Sequence, residues 1–400
     1  MVSQIKTHKI PEDWKIVKLK DICEIIRGTE PGSKTYNKEG KGYRFIRVSD
    51  LSKQVLEPVF TTEKKENLVF SNKDDILLAL DGVPGVVGRG YEGAISSGIR
   101  IIRPKNDNVN KDFIFYALQH GFVQKIIKSY TTGTTIKHAG KSVEFIKIPL
   151  PPLHEQQKIV EILSLVDLAI EKSNQLIEKT EKLKKLLMRH LLTKGIGHKE
   201  FKDTEIGKIP KDWSIVKLKD ITNYVKGKRP SILYYNKVRE DFLPYLEAEF
   251  MRGENFPKWC DPNDSNIIKV KRGDITMIWD GSYAGNVFIG HEGILSSTMI
   301  KIEPKNDNII NNLFLYYYLQ KIFEIFHKTT TGSTIPHVNK TLFENLLVPL
   351  PSLEEQKKIV EILSTIDKKL ELERKRKEKL EKIKKILLDL LLTGKIRVKI

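Results

Sequence analysis

Cysteine is almost missing from this chain: Cys23 and Cys260 are the only two in 400 residues. They stand too far apart for a metal knuckle or a CxxC redox pair, and read as core thiols in a reducing compartment. No apolar run approaches the roughly 18 residues that a membrane span needs. The opening stretch, MVSQIKTHKIPEDW, lacks the apolar centre of a secretory leader. The expectation is a cytoplasmic protein with no membrane contact. Acidic residues are also scarce: 51 Asp+Glu against 69 Lys+Arg leave a net charge of +18. That balance favours a polyanionic partner, nucleic acid first. The competing explanation is solubility, or a heat-adapted composition in which Lys, Glu and Ile rise together.

What is present is a repeat. Four hundred residues exceed one ordinary domain. The segment from Ile10 to Ile22 (IPEDWKIVKLKDI) returns from Ile209 to Ile221 (IPKDWSIVKLKDI). Pro104 to Asn108 returns from Pro304 to Asn308, and Gly133-Thr134-Thr135-Ile136 returns as Gly332-Ser333-Thr334-Ile335. PLPPLHEQQKIVEILSLVD, from Pro149 to Asp167, returns from Pro349 to Asp367 as PLPSLEEQKKIVEILSTID. Leu191-Leu192-Thr193 returns as Leu391-Leu392-Thr393. An offset drifting between 199 and 200 residues is a duplicated domain rather than a solenoid. The second copy then acts as an internal control: retained features belong to scaffold or shared task, and divergent ones to separate specificities.

Each copy reads as a mixed α/β globular part followed by a helical tail. A short strand is expected from Trp14 to Leu19 and from Trp213 to Leu218, with a helical turn over Asp21 to Ile26. Apolar runs at Ile76 to Leu80 and Ile275 to Trp279 read as buried strands ending in Asp81-Gly82 and Asp280-Gly281 turns. Further strands are expected near Gly98 to Arg103 and Met299 to Glu303. Amphipathic helices should cover Lys111 to Ser129 and Asn312 to Lys328, capped by Asn110 and Asn311. Proline pairs end the globular parts, and the tails run from about His154 to Leu192 and from about Glu354 to Leu392.

Apolar residues in the tails step by 4-3-4. The first tail shows Ile159, Leu163, Val166, Ile170 and Ile177, then shifts phase toward Leu183 and Leu187. The second shows Ile359, Leu363, Ile366, Leu370, Leu380, Leu387 and Leu391. These are heptad-like seams on otherwise charged helices, and each must bury its stripe. The obvious partner is the other tail, in an antiparallel pair that relates the two halves by a pseudo-two-fold axis; packing of each tail on its own domain is the alternative. Thirty-nine residues at about 1.5 Å each make about 58 Å of helix. The expected architecture is α+β: two similar mixed α/β domains, joined and followed by long helices pairing as an antiparallel coiled coil. The boundaries are 1–152, 153–196, 197–351 and 352–400.

Motifs for chemistry fail. Gly88-Arg89-Gly90-Tyr91-Glu92-Gly93 fits GxGxxG, but strand pattern follows it and the other copy begins with Phe288. Gly140-Lys141-Ser142 resembles the end of a P-loop, yet Thr135 stands where glycine is required. His154-Glu155 has no second His at metal spacing, and its copy is Glu354-Glu355. Pro11-Glu12-Asp13 with Lys15 hints at a nuclease cluster, but Ser214 replaces the lysine. Neither a Gly-x-Ser-x-Gly elbow nor the Pro-Pro element of adenine methyltransferases occurs. The loop from Tyr130 to His138 differs: it is matched by Thr329 to His337, and its small hydroxyl residues, glycine and basic groups suit phosphate contacts. A purely structural turn explains the same composition.

A tryptophan near the start of each copy, a Gly-Ser/Thr-Thr loop, and Pro149-Leu150-Pro151-Pro152-Leu153-His154-Glu155-Gln156, repeated as Pro349-Leu350-Pro351-Ser352-Leu353-Glu354-Glu355-Gln356, resemble the specificity subunit of type I restriction-modification enzymes. The resemblance covers both copies. It implies two target recognition domains, each reading one half of a split sequence in double-stranded DNA. It implies helices that set the gap and dock two methyltransferase subunits, with restriction-translocase subunits joining for cleavage. The chain would be non-catalytic and bind no cofactor. S-adenosylmethionine, ATP and Mg2+ would serve the partners, whose complex would be an adenine-N6 methyltransferase and ATP-dependent endonuclease. From composition and loop divergence, the candidate DNA contacts are Arg27, Arg44, Arg89, Thr134, Thr135, Lys137 and His138 in the first copy. In the second they are Lys228, Arg229, Arg239, Tyr283, Ser333, Thr334 and His337. The rival reading is a scaffold with two protein-binding domains on a coiled-coil rod.

Overall fold

The computed structural model describes residues 10–52, 57–330 and 336–398. Ser333 and Thr334, and most of the opening stretch MVSQIKTHKIPEDW, lie outside them. The chain forms two compact units: Met1–Gln175 with Lys375–Ile400, and Leu176–Arg374. Two long helices, α1 (Leu153–Lys194) and α2 (Leu353–Leu392), each contribute one segment to either unit.

In the first unit, Cys23–Arg27, Ile99–Pro104, Ile76–Ala79 and Val87–Gly88 form an antiparallel sheet in that order. A five-stranded sheet centres on Tyr43–Ile46, paired in parallel with Gly93–Ile95. Lys15–Lys18 pairs with Lys147–Leu150, so the unit's first strand closes on the last strand before α1. The second unit repeats these pairings. Its first sheet is Thr222–Lys226, Met299–Pro304, Ile275–Ile278, Val287–Phe288, and Ser214–Lys217 pairs with Leu347–Leu350. No helix among the described residues is long and apolar enough to cross a membrane.

Three expectations need correcting. The helical turn after the first strand spans only Leu19–Ile22; Cys23 onward is strand, because its partner Ile99–Pro104 supplies a full antiparallel ladder. The helix expected over Lys111 to Ser129 is two, Lys111–Gln119 and Gly121–Ser129. His120 leaves helical geometry at ψ 139°, and its Nδ1 accepts from Phe122 N at 3.2 Å, capping the second piece. The equivalent pieces are Asn312–Lys321 and Phe323–Lys328. Asn110 and Asn311 cap their helices by accepting from backbone amides.

In the first unit, Ile159 and Leu163 of α1 share a core with Leu388, Leu391 and Leu392 of α2, beneath Trp14, Phe113 and Ile148. In the second, Leu191 and Leu192 of α1 share a core with Ile359 and Leu363 of α2, beneath Trp213 and Phe314. Within each unit the beginning of one helix therefore lies against the end of the other, which is antiparallel pairing. Leu370 is buried; Val166, Ile170, Ile177, Ile366, Leu380 and Leu387 are half-buried. The phase shift expected toward Leu183 does not occur. Leu183 and Leu186 are exposed, whereas Ser173 and Thr180 are buried. The seam keeps its heptad through Ser173, Ile177, Thr180, Lys184, Leu187 and Leu191, and polar side chains at these positions hide it from a search for apolar residues.

Candidate nucleic-acid interface

The threonine-rich loop of each unit is fastened to the Asp-Gly turn that follows the central strand. In the first unit, Gly82 N donates to Lys137 O at 2.8 Å and Ala139 N to Leu80 O at 2.7 Å, holding His138 against Asp81 as a short antiparallel bridge. The His138 ring adds a bond from Nδ1 to Asp81 Oδ1 at 2.9 Å. The second unit repeats this. Gly281 N donates to Pro336 O, Val338 N donates to Trp279 O, and His337 Nδ1 stands 2.6 Å from Asp280 Oδ1. The aspartates are tucked in, at 18% and 13% side-chain exposure, while the histidines face out at 58% and 46%. Gly133 turns the first loop at φ +92°, where a Cβ would meet Ile136 O at 2.1 Å.

Cations gather beside each pair. Arg27 ends its strand exposed, with Nε donating to Ser97 O at 3.3 Å. Arg100 is buried and donates to Ser97 O and Ile99 O. Burial, then the charge of Arg27, pulls it below the ordinary arginine value, while Asp81 opposes them. In the second unit Lys226, equivalent to Arg27, stands 2.8 Å from Asp280 Oδ2. The next residue is glycine in both units because the chain there crosses another strand's end: a Cβ on Gly28 or Gly227 would lie 2.2 or 2.1 Å from a serine carbonyl oxygen.

The other predicted contacts divide by what their side chains already hold. Arg44 turns inward to Asp50 at 2.5 Å and to the carbonyls of Phe45 and Val59. Arg89 bonds Asp112 and lies over the Phe115 ring, and Arg239 makes a bidentate pair with Asp241. Tyr283 lies under the Arg252 guanidinium, 3.9 Å from its ring centre. Lys137, Lys228, Arg229, Thr134 and Thr135 are exposed, with no ion pair among the described residues. Sequence reading missed Asp81, Asp280, Arg100 and Lys226. The signal for the aspartates was available, since the Asp-Gly turn is retained in both copies.

The Pro-Leu-Pro-x-Leu-x-Glu-Gln signature fastens each long helix to its globular part. Glu155 is 2% exposed; its Oε2 accepts from the Trp14 indole at 3.0 Å, and Arg397 grips it with two nitrogens while holding Asp13 with a further pair of bonds. Gln156 accepts from Asn110 N and donates to the carbonyls of Asn108 and Pro151. In the second unit Glu355 takes the Trp213 indole at 2.9 Å, and Gln356 repeats the bonds of Gln156 on Asn311, Ile309 and Pro351. His198 stands where Arg397 stands in the first unit, 2.8 Å from Glu355 and 3.3 Å from Asp212. These three residues bring ligand-type atoms within 4.8 Å of one another. Glu355 is already occupied by the indole and by Ile196 N, and the matching place holds a guanidinium, so the position suits a cationic side chain rather than a metal ion. Both cysteines are buried, which pushes Cys23 up to about 12 and Cys260 up to about 11, away from thiolate chemistry.

Comparison with known proteins agrees with this arrangement. The family model for the type I restriction modification DNA specificity domain matches residues 11–182 and again 210–382. The chain is 34% identical over 98% of its length to the type I restriction enzyme MjaVIII specificity subunit of Methanocaldococcus jannaschii, covering 95% of that protein. It is 24% identical over 88% of its length to the EcoBI specificity subunit of Escherichia coli, covering 78% of it. A solved S subunit of the type I restriction-modification system of M. genitalium shares the fold, with a TM-score of 0.61 over 97% of this chain and 98% of that one, at 20% identity.

Proposed function

The chain belongs to the type I restriction-modification specificity family, and from that premise we propose that each globular part reads one half of a bipartite DNA target. The helices α1 and α2 set the gap between the halves and dock two methyltransferase subunits. The chain itself is non-catalytic; S-adenosylmethionine, ATP and Mg2+ belong to the methyltransferase and restriction-translocase subunits that join it.

The observation that carries this reading is the contrast within the repeat. Both units keep the Asp–His-fastened loop, the Trp–Glu–Gln attachment and the sheet order. They differ at Gly28 to Gly42 against Gly227 to Glu240, and at Val83 to Glu92 against Ser282 to Glu292. One scaffold with two sets of loops is what reading two unlike half-sites requires, since phosphate contacts position a protein and base contacts specify. The test is filter binding of duplex DNA by the chain with its methyltransferase subunits across a salt series. Affinity that falls steeply with salt supports the reader, whereas no DNA binding at any salt sinks it in favour of a protein scaffold.

A further inference from the structure

We propose that His138 and His337 each place an outward ring nitrogen on one DNA phosphate, with Asp81 and Asp280 as positioning residues. The proposal rests on the DNA-reading function above and assigns a contact within it. In both units the imidazole gives Nδ1 to a tucked-in carboxylate and keeps the rest of the ring at the surface. The two ring nitrogens point to opposite sides of the imidazole, so anchoring Nδ1 directs Nε2 away from the protein. The bonds from Gly82 and Ala139, or Gly281 and Val338, fix the backbone on both flanks of the histidine, and the Nδ1 bond to the aspartate orients the ring upon it.

The pair recurs in both units although the neighbouring loops have diverged. Two unlike half-sites share no base sequence, but they share the phosphodiester backbone. A contact retained in both readers therefore suits a phosphate rather than a base. The surroundings have the right sign: Arg27 and Arg100 flank the first pair, and Lys226 the second. In the bound state the ring is an imidazolium, its second proton drawn from solvent, and both N–H groups donate, one to the aspartate and one to a phosphate oxygen, as in other charge-assisted contacts.

Two substitutions separate this role from simple fastening of the loop. His138→Asn places an amide nitrogen near Nδ1 and so keeps the bond to Asp81, but has nothing at the outer position. His138→Gln does the reverse. The measurement is DNA affinity against salt for the full chain with its methyltransferase subunits. The probe is a duplex carrying the sequence these methylate in the cell. The expected result for His138→Asn, and likewise His337→Asn, is about tenfold weaker binding and a log–log salt slope shallower by about 0.9. The double variant should lose about twice that slope, and the methylated sequence should not change.

Neutralising the contacted phosphate as a methylphosphonate should weaken wild type about tenfold more than it weakens His138→Asn, a comparison of losses that holds even where a variant is less stable. Asparagine variants with the wild-type slope, or a loss on neutralisation equal to that of wild type at every phosphate, would overturn the phosphate contact and leave the pair as a loop fastener. A wild-type complex that binds no DNA would instead remove the reading on which the proposal rests.

Discussion

Lys384 Nζ on α2 stands 2.7 Å from Asp167 Oδ1 on α1, at a seam position where an apolar residue would be ordinary. Tyr116 donates to the other oxygen of the same carboxylate at 2.9 Å. The second unit carries the counterpart: Lys184 2.6 Å from Asp367, which also accepts from Tyr317. Antiparallel helices match each Asp with a Lys. A parallel pair in register would set Asp167 level with Asp367 and Lys184 level with Lys384, like charge against like. These pairs thus specify direction as well as adding stability. Lys384→Asp alone should destabilise the first unit by about 1–2 kcal/mol, and adding Asp167→Lys should recover most of it. Thermal unfolding of the two single variants and the double variant gives the coupling. A double variant as weak as the sum of the singles would show that the pair contributes nothing specific.

Arg397 answers the negative charge of Glu155, a carboxylate closed off from water apart from this partner and the Trp14 indole. Arg397→Ala should lower the melting temperature of the first unit, because a buried carboxylate is left without its cation. Placing Glu155→Gln on that background should raise it again, since a neutral amide needs no counter-ion. Further loss in the double variant would show that the guanidinium acts only by packing. His198→Arg in the second unit should be tolerated, as it rebuilds the clasp already present in the first.

Both units half-bury a base where two successive helices meet. Burial and the nearby charge of Arg189 bring Lys321 down to about 8, and burial lowers His120 against the upward pull of Asp389. A folded-state value below the unfolded one means that the fold resists protonation. The contribution of Lys321 is complete above roughly pH 10.5 and is lost as pH falls to about 8. That of His120 is present above about pH 6.5 and is lost as pH falls through its lowered value. Lys321→Met keeps the stem and removes the charge, so it should stabilise the second unit by about 2 kcal/mol at pH 7, with the gain shrinking toward pH 10.5. Chemical denaturation at the two pH values checks this. An equal gain at both would refute burial of the ammonium as its cause.

Insertion of one heptad into both α1 and α2 should lengthen the unread gap in the DNA target and leave both half-sequences as they were. Methylation-site maps of the variant with its methyltransferase give the answer directly, and an unchanged gap would remove the helices from that role.

Much of the fold was legible because the repeat supplied a second reading of every segment. The Asn110 and Asn311 caps, the buried strands and the heptad frame follow from local chemistry that a sequence displays. The break at His120 was not legible: the apolar period continues through it, and the ring's capping bond depends on a backbone turn. The seam after Ile170 was obscured because Ser173, Thr180 and Lys184 occupy it. The signature that carried the family resemblance proved to be an attachment, since Glu155 and Gln156 find partners 141 and 46 residues away. Of the predicted contacts, Arg44 and Arg239 hold carboxylate partners that composition does not reveal. Arg44, in the strand Tyr43–Ile46, bonds Asp50, and Arg239 bonds Asp241, pairings that only tertiary structure displays.

If each unit reads its own half of the target, an exchange of loops in one unit alters that half alone. Residues 227–240 and 282–292 of the second unit are replaced by the matching loops of a relative with a different target, and methylation is mapped in cells carrying the chain and its methyltransferase. One half-sequence should change while the other half and the gap persist. A change in both halves, or in neither with methylation intact, would contradict this reading.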